Sequence, residues 1–337
     1  MTEQLKLKLN DSKATRWGAL VIVAFTMMAA YYVNDVVAPL KTMLETDLAW
    51  SSTDFGFFTG GYSFLNVFFL MLIWGGLILD RFGIRFTGKL ATILMVGGTA
   101  LEYYAMTGLA GADATLFGIN EIFGYKTGVF VAFAGYSIFG VGAEVAGITV
   151  SKIIAKWFKG KELATAMGVQ VALARIGSQA GYAVAIPLAR AFGISTPVLL
   201  GLVLLLGGMI AFFVFAVMDK KLDKQMEAAA IAAGTEDEEE KFSFKDVKNI
   251  LVNPGFWLIA LLCVLFYSCV FPFQKFASEL MIIKYGINEN VAGTFAGLPA
   301  LGALILTPIF GGFIDKRGKS ASIMILGAAM LIGVHFI

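Results

Sequence analysis

Gly76-Leu77-Ile78-Leu79-Asp80-Arg81-Phe82-Gly83-Ile84-Arg85 closes one long apolar run, and Gly311-Gly312-Phe313-Ile314-Asp315-Lys316-Arg317-Gly318-Lys319 closes another. Both read G-x-x-x-D-(R/K)-x-G. One copy would pass for a polar turn between membrane spans. Two copies on the same side of a membrane and six spans apart make a parallel repeat of a six-helix unit. Glycines let two helix ends approach closely. The Asp can pair with a neighbouring cation or sit at a helix N-terminus. Gly76, Asp80, Arg81, Gly83 and Arg85, with Asp315, Lys316 and Gly318, are therefore candidates for a charged gating clasp that locks one helix arrangement and releases another.

The runs around these copies set the span count. A helix needs roughly 20 apolar residues to cross the hydrocarbon core. Nine stretches qualify: 17–40, 55–79, 88–110, 128–150, 163–189, 196–217, 255–275, 290–312 and 320–337. The alternation a lipid-facing barrel requires is absent. The N-terminal segment superficially resembles a signal peptide, but the run from Trp17 to Leu40 is too long for one and lacks a convincing cleavage site. It reads as a retained first span.

Composition agrees. Of 337 residues, 58% are hydrophobic and only 15% charged. Mean hydropathy is +0.79. A soluble domain is about 45–50% apolar and about 25% charged. The chain needs lipid, which argues against a soluble enzyme and a nucleic-acid binder. Two cysteines (Cys263, Cys269) exclude a disulfide scaffold or thiolate metal site, and one histidine (His335) excludes a histidine metal cluster. No cofactor or metal is expected, and no catalytic constellation supports an enzyme.

Charge placement gives orientation. Twenty of the 26 Lys and Arg residues fall in alternate segments: the N-terminus and the connections after spans two, four, six and eight. The positive-inside rule puts these in the cytoplasm. A multi-pass protein of a bacterial-type cell membrane, N-terminus cytoplasmic, is expected. All five tryptophans (Trp17, Trp50, Trp74, Trp157, Trp257) lie near span ends, where interfacial belts would put them.

The repeated loop resembles that of the major facilitator superfamily, whose members carry it after spans two and eight. The resemblance covers the whole chain. It implies an all-α membrane fold of two six-helix bundles, of which nine helices are present. The expected division is a first bundle over 1–217, a cytoplasmic linker over 218–253 and a partial second bundle over 254–337. The linker is polar and helix-prone, then acidic (Glu236-Asp237-Glu238-Glu239-Glu240), with 242–253 a candidate interfacial helix. Because the sequence stops at Ile337, inside span nine, a truncated chain lacking three spans is expected.

Ionisable groups at membrane depth are functional candidates by default. Glu144 in span four and Arg175 in span five stand fifteen residues either side of the connecting turn, at Lys159 and Gly160. Equal distances from the turn in an antiparallel pair give equal depth, about 22 Å of helix at 1.5 Å per residue. That is near the bilayer centre, where transporters bind substrate. The pair is either a structural salt bridge or a zwitterion clamp, with Arg presenting a planar fork to a carboxylate and Glu facing an ammonium. Tyr31, Asn34, Tyr136, Gln170, Gln179 and Tyr182 are candidate cavity-lining residues. Tyr62 and Asn66 are cavity-lining candidates too, and any of these, like Asp35, could equally be helix–helix glue. Glu102 is a proton site or snorkels outward. Lys275 and Glu279, spaced i,i+4, are expected to pair with each other.

Trp157-Phe158-Lys159-Gly160-Lys161-Glu162-Leu163, Gly168-Val169-Gln170, Ala174-Arg175-Ile176-Gly177-Ser178 and Phe271-Pro272-Phe273 are similar to the lysosomal dipeptide-transporter branch. That resemblance implies that Glu144 and Arg175 hold the amino and carboxyl ends of a dipeptide. Gln274 and Lys275 depart from the small, apolar residues of the branch. A carrier of small peptides by alternating access is expected, with a proton as a second candidate cargo. The alternatives are a proton-coupled carrier of organic anions or another small solute, which would use Arg175 with Glu144 as proton site, and a non-transporting interaction protein.

Overall fold

The computed structural model describes residues 8–111, 114–233, 251–317 and 320–336. It is built from ten α-helices among the described residues: α1 (Lys13–Val36), α2 (Lys41–Asp47), α3 (Ser52–Phe68), α4 (Met71–Thr107), α5 (Thr127–Trp157), α6 (Leu163–Phe192), α7 (Thr196–Ala233), α8 (Pro254–Tyr285), α9 (Glu289–Arg317) and α10 (Ser320–His335). Five are long and apolar enough to cross a membrane on their own, and the bent α3–α4 pair adds to them. The side bearing the start of α1 is called the near side below, and the opposite one the far side.

Ser12 caps α1 by accepting from the Thr15 amide. The helix then runs through the centre of the core, with Leu20, Val23, Ala24, Ala29, Ala30 and Val33 buried. It is a packed span, as its length demands. Pro39 sits in a single 3-10 turn, Ala38–Leu40, and α2 follows at once. A capping box between Ser51 and Asp54 starts α3.

The stretch 55–79 is not one straight helix. Leu70, at φ 51°, breaks it, and α3 and α4 meet at 58°. The next connection is correspondingly short. Helix continues from Met71 to Thr107 with only Gly83 outside helical geometry, at φ 74°, ψ 173°. Neighbours on α5 show that the chain reverses there. Before it, Gly61 faces Phe133, Gly75 faces Val145 and Asp80 pairs with Lys152, so this run is parallel to α5. After it, Ala91 faces Gly142, Gly98 faces Gly135 and Leu109 faces Gly128, so the run is antiparallel. A backbone in that region of φ and ψ is essentially glycine-only.

Two of the five tryptophans depart from the belt expectation. Trp50 is 2% exposed and packs edge-on against Phe58. Trp157 is 1% exposed and donates its indole N–H to Asp219 at 3.0 Å. Both lie near helix ends but turn inward, because a ring or carboxylate partner waits there. Trp74 and Trp257 are more than half exposed.

Helices α8 and α9 join the rest at their far-side ends. Ala38, Tyr182, Ala277 and Ala296 form a small core there, with Phe273 against it. The contact is close because Gly293 and Gly297 let α9 lie directly on Tyr182 and Gln179 of α6. Towards the near side the same helices present exposed apolar residues, among them Leu258, Ile259, Val264, Ile305 and Ile309. An aqueous surface does not tolerate apolar area on this scale, but lipid does. The chain is a multi-pass membrane protein. Helix α7 continues past 217 to Ala233, and residues 234–250 of the linker, with most of its interfacial-helix candidate, lie outside the described residues.

Candidate functional site

Glu144 lies thirteen residues before the end of α5, and Arg175 twelve after the start of α6. Both are half-buried. They do not pair: neither has a salt-bridge partner within 4.0 Å among the described residues, so the structural ion pair considered from sequence is not formed. The reason is the helix between them. Helix α1 packs against α6 along much of its length and places Tyr31 in the gap. The Arg175 guanidinium lies over the Tyr31 ring at 5.7 Å. The Tyr31 hydroxyl is within electrostatic range of both Arg175 and Glu144. Glu144 Oε1 accepts from the Tyr62 hydroxyl at 2.8 Å. The two side chains are thus held apart, each on an aromatic support.

Other candidate residues fall into two groups. Tyr31 sits with the separated charges, and Gln170, five residues before Arg175 on α6, is half-buried. Tyr136, Asn34, Tyr182 and Gln179 instead tie helices together. Tyr136 is fully buried, and its hydroxyl donates to the Asn34 carbonyl oxygen at 2.7 Å. The Asn34 amide donates to Asp35 at 2.8 Å. Tyr182 donates to the Gln274 carbonyl at 3.2 Å, and Gln179 lies against Gly297.

Lys275 has a larger part than its sequence spacing implies. It does not pair with Glu279. Its ammonium donates to the Asn34 carbonyl at 2.6 Å and to the Tyr136 hydroxyl at 3.1 Å, with Asp35 at 3.8 Å. Glu279 instead meets Lys41 at 2.5 Å, and Lys41 also reaches Glu45 at 2.8 Å. Helix α8 packs against the 38–40 turn and α2, so nearby groups from other elements win over an i,i+4 pair worth about 0.2–0.5 kcal/mol. Arg190 completes the set with an ion pair to Glu289 and a 2.9 Å bond to Asn290. These links between α1–α7 and α8–α9 all lie on the far side. The sequence signal for Lys275 was its departure from the expected small or apolar residue. Glu102 does not snorkel: it is fully buried, and among the described residues neither carboxylate oxygen has a hydrogen-bond partner.

At the near side, Asp80 pairs with Lys152 at 3.0 Å. Arg85 reaches Asp223 at 2.5 Å and Asp219 at 3.4 Å, and Lys156 bonds both carboxylates. Arg81 rests over Phe82. Gly76 departs from its expected role: a side chain there would meet open space, whereas neighbouring Gly75 packs on Val145. In the second copy, the backbone is described to Arg317; Gly318 and the side chains of Asp315 and Lys316 lie outside the described residues.

This combination of helices, glycine-turned loop and charged spans agrees with comparisons against known proteins. Residues 17–337 match the model of the Major Facilitator Superfamily, and the chain belongs to that family of membrane transporters. It is 26% identical over 336 residues to the human lysosomal dipeptide transporter MFSD1, covering 96% of this chain and 66% of that one. The Pongo abelii counterpart is 26% identical over 330 residues, 94% of this chain and 64% of the relative. The Gallus gallus protein of the same name is 31% identical over 199 residues, 55% of this chain and 43% of the relative. The chain spans less than two thirds of the length of these curated relatives. Among solved structures, a D-xylose–proton symporter superposes with a TM-score of 0.56 at 16% identity, over 89% of this chain and 69% of that one. That likeness is one of fold.

Proposed function

We propose that the protein carries small peptides, dipeptides first, across a cell membrane by alternating access. Glu144 holds the substrate ammonium and Arg175 its carboxylate. The observation that carries this reading is that these two side chains of opposite charge form no ion pair among the described residues, Arg175 lying over the Tyr31 ring and Glu144 accepting from Tyr62. Relatives named as dipeptide transporters support the substrate class. The clamp favours a zwitterion over a simple organic anion, which would leave Glu144 facing a like charge.

The near side is the cytoplasmic one on this reading, since it holds most of the Lys and Arg. The transporter divides into a first bundle over 1–217 and a second beginning at 254, joined by the 218–253 linker. Far-side contacts then describe a carrier closed outward and parted toward the cytoplasm. Asp80, Arg81, Gly83 and Arg85, with their counterparts Asp315, Lys316 and Gly318, form the clasp that re-forms when the near side closes.

Competition for uptake into proteoliposomes tests the clamp. Free dipeptides should compete with a labelled dipeptide and N-acetylated dipeptides should not. Equal competition by both means that only the carboxylate is read and removes Glu144 from the site. Arg175→Ala and Glu144→Gln should each abolish uptake, and normal transport by either overturns the clamp.

A further inference from the structure

Glu102 has no place in the clamp, yet its burial is costly. It sits on α4, 0% exposed, with both carboxylate oxygens shielded and unpartnered. An ionised carboxylate is kept in such a place only when paired or hydrogen-bonded. No described residue does either. Helix α4 is pressed against α5 here, because Gly98 and Gly135 let the two backbones touch. The side chain is therefore enclosed rather than turned to lipid.

The surrounding groups come from several helices. Helix α5 supplies Tyr136, next to the Gly135 that lies on the Glu102 backbone. Helix α8 supplies Lys275, whose ammonium donates to the Tyr136 hydroxyl at 3.1 Å, and α1 supplies Asp35, 3.8 Å from Lys275. Helix α3 brings Asp54 only at its capped start, and the charged residues of α7 begin at Asp219, at the near side. The Lys275 ammonium is fastened to Asn34, Tyr136 and Asp35. It is also carried by the helix that joins α1 only at the far side.

We propose that Glu102 is a proton-binding site of this carrier, and that Lys275 opens and closes its route to far-side water. When the far side parts, α8 carries Lys275 away from Asn34 and Tyr136. Water then reaches the carboxylate, which takes a proton from hydronium and leaves a water molecule. When the far side closes, Lys275 returns and the carboxylic acid is sealed. Proton binding and the position of α8 are thereby linked, so each biases the other. Withdrawal of a cation favours uptake of a proton by a carboxylate, and after its return the enclosed acid has no water to take that proton. This site is separate from Glu144, which keeps its substrate role. The coupling rests on the carrier reading; the proton site does not.

Two measurements on the whole protein test it separately. In proteoliposomes, acidifying the far-side compartment should raise labelled-dipeptide uptake several-fold. Glu102→Gln should erase that response while leaving dipeptide exchange at the wild-type rate. A wild type indifferent to the gradient, or a Glu102→Gln carrier still driven by it, overturns the coupling. If Glu102→Gln also loses exchange, Glu102→Asp decides: a restored response with a shifted pH profile supports the proposal, and continued inactivity overturns it. The second measurement needs no transport. Infrared spectra of purified protein should show a protonated-carboxyl band that is absent in Glu102→Gln and exchanges into D2O several-fold faster in Lys275→Ala. No such band in the wild type overturns the proton site, and an unchanged exchange rate overturns the gate. Absent dipeptide exchange in the wild type sinks the substrate reading and leaves the infrared result standing.

Discussion

The Tyr62 hydroxyl donates to Glu144 Oε1 at 2.8 Å, from a helix that lies parallel to the one bearing the carboxylate. The bond aims Glu144 and leaves its second oxygen for another donor. Removing the hydroxyl alone is the mildest available perturbation of the site. A hydrogen bond to a charged group contributes about 1.5–3 kcal/mol. Tyr62→Phe is expected to raise KM for dipeptides by about tenfold to a hundredfold, with expression unchanged. An unaltered KM in concentration-dependent uptake would mean that Glu144 does not hold substrate in this pose.

The Lys41–Glu279 pair joins α2 to α8, with the Lys41 side chain 3% exposed. Breaking a buried pair typically costs about 3–5 kcal/mol because a charge is left unmatched. Lys41→Met should therefore favour the far-side-open arrangement. Place a cysteine at Ser278, now 2% exposed, in a background lacking Cys263 and Cys269. Maleimide labelling of that cysteine should quicken in Lys41→Met, and in Glu279→Gln to a similar degree. Identical labelling in all three proteins would remove the pair from gating.

Glycine is required at one end of the clasp and not at the other. Gly83 stands at φ 74°, ψ 173°, whereas Gly76 faces open space. Gly83→Ala should cost about 1–3 kcal/mol through backbone strain. It should lower the thermal midpoint in detergent by several degrees, while Gly76→Ala leaves it nearly unchanged. Equal midpoints for the two variants would show that the reversal at 83 tolerates a side chain.

Two near-side carboxylates give a pH signature outside the membrane. The Asp11 carboxyl is held below its usual range, chiefly by the Lys161 ammonium that donates to it. The Glu162 carboxyl is lowered by its own backbone N–H and then by Arg16. A carboxylate lowered on folding adds stability above its unfolded value and loses it as pH falls through the folded one. Acidification from neutral pH should leave the anchoring of residues 8–12 intact until below about pH 4. Limited proteolysis at the N-terminus should then accelerate, and Lys161→Gln should raise cleavage already at neutral pH. Acid-insensitive cleavage would deny the contact its role.

Spans were legible because an apolar run of membrane length leaves few alternatives to a helix, and the repeated glycine–aspartate loop set their register. Equal spacing from the turn at Gly160 made one depth the expectation for Glu144 and Arg175. That spacing could not say that α1 would slide Tyr31 between them, since lateral helix order is a tertiary property. The same limit hid the partners of Lys275. An i,i+4 rule sees only its own helix, and Asn34, Tyr136 and Asp35 arrive from two others. Trp50 and Trp157 were read by position along the span, but what decided their direction was a ring and a carboxylate on neighbouring helices.

The single-residue reversal at Gly83 has a mechanical meaning. With no loop to take up slack, the helices either side of it cannot drift apart at the near side. They are further pinned where Asp80 meets Lys152 and where Arg85 meets Asp219 and Asp223. Any near-side closure must therefore move these spans as one welded block. The give has to come elsewhere, and the break at Leu70, where α3 meets α4 at 58°, is the joint left to supply it.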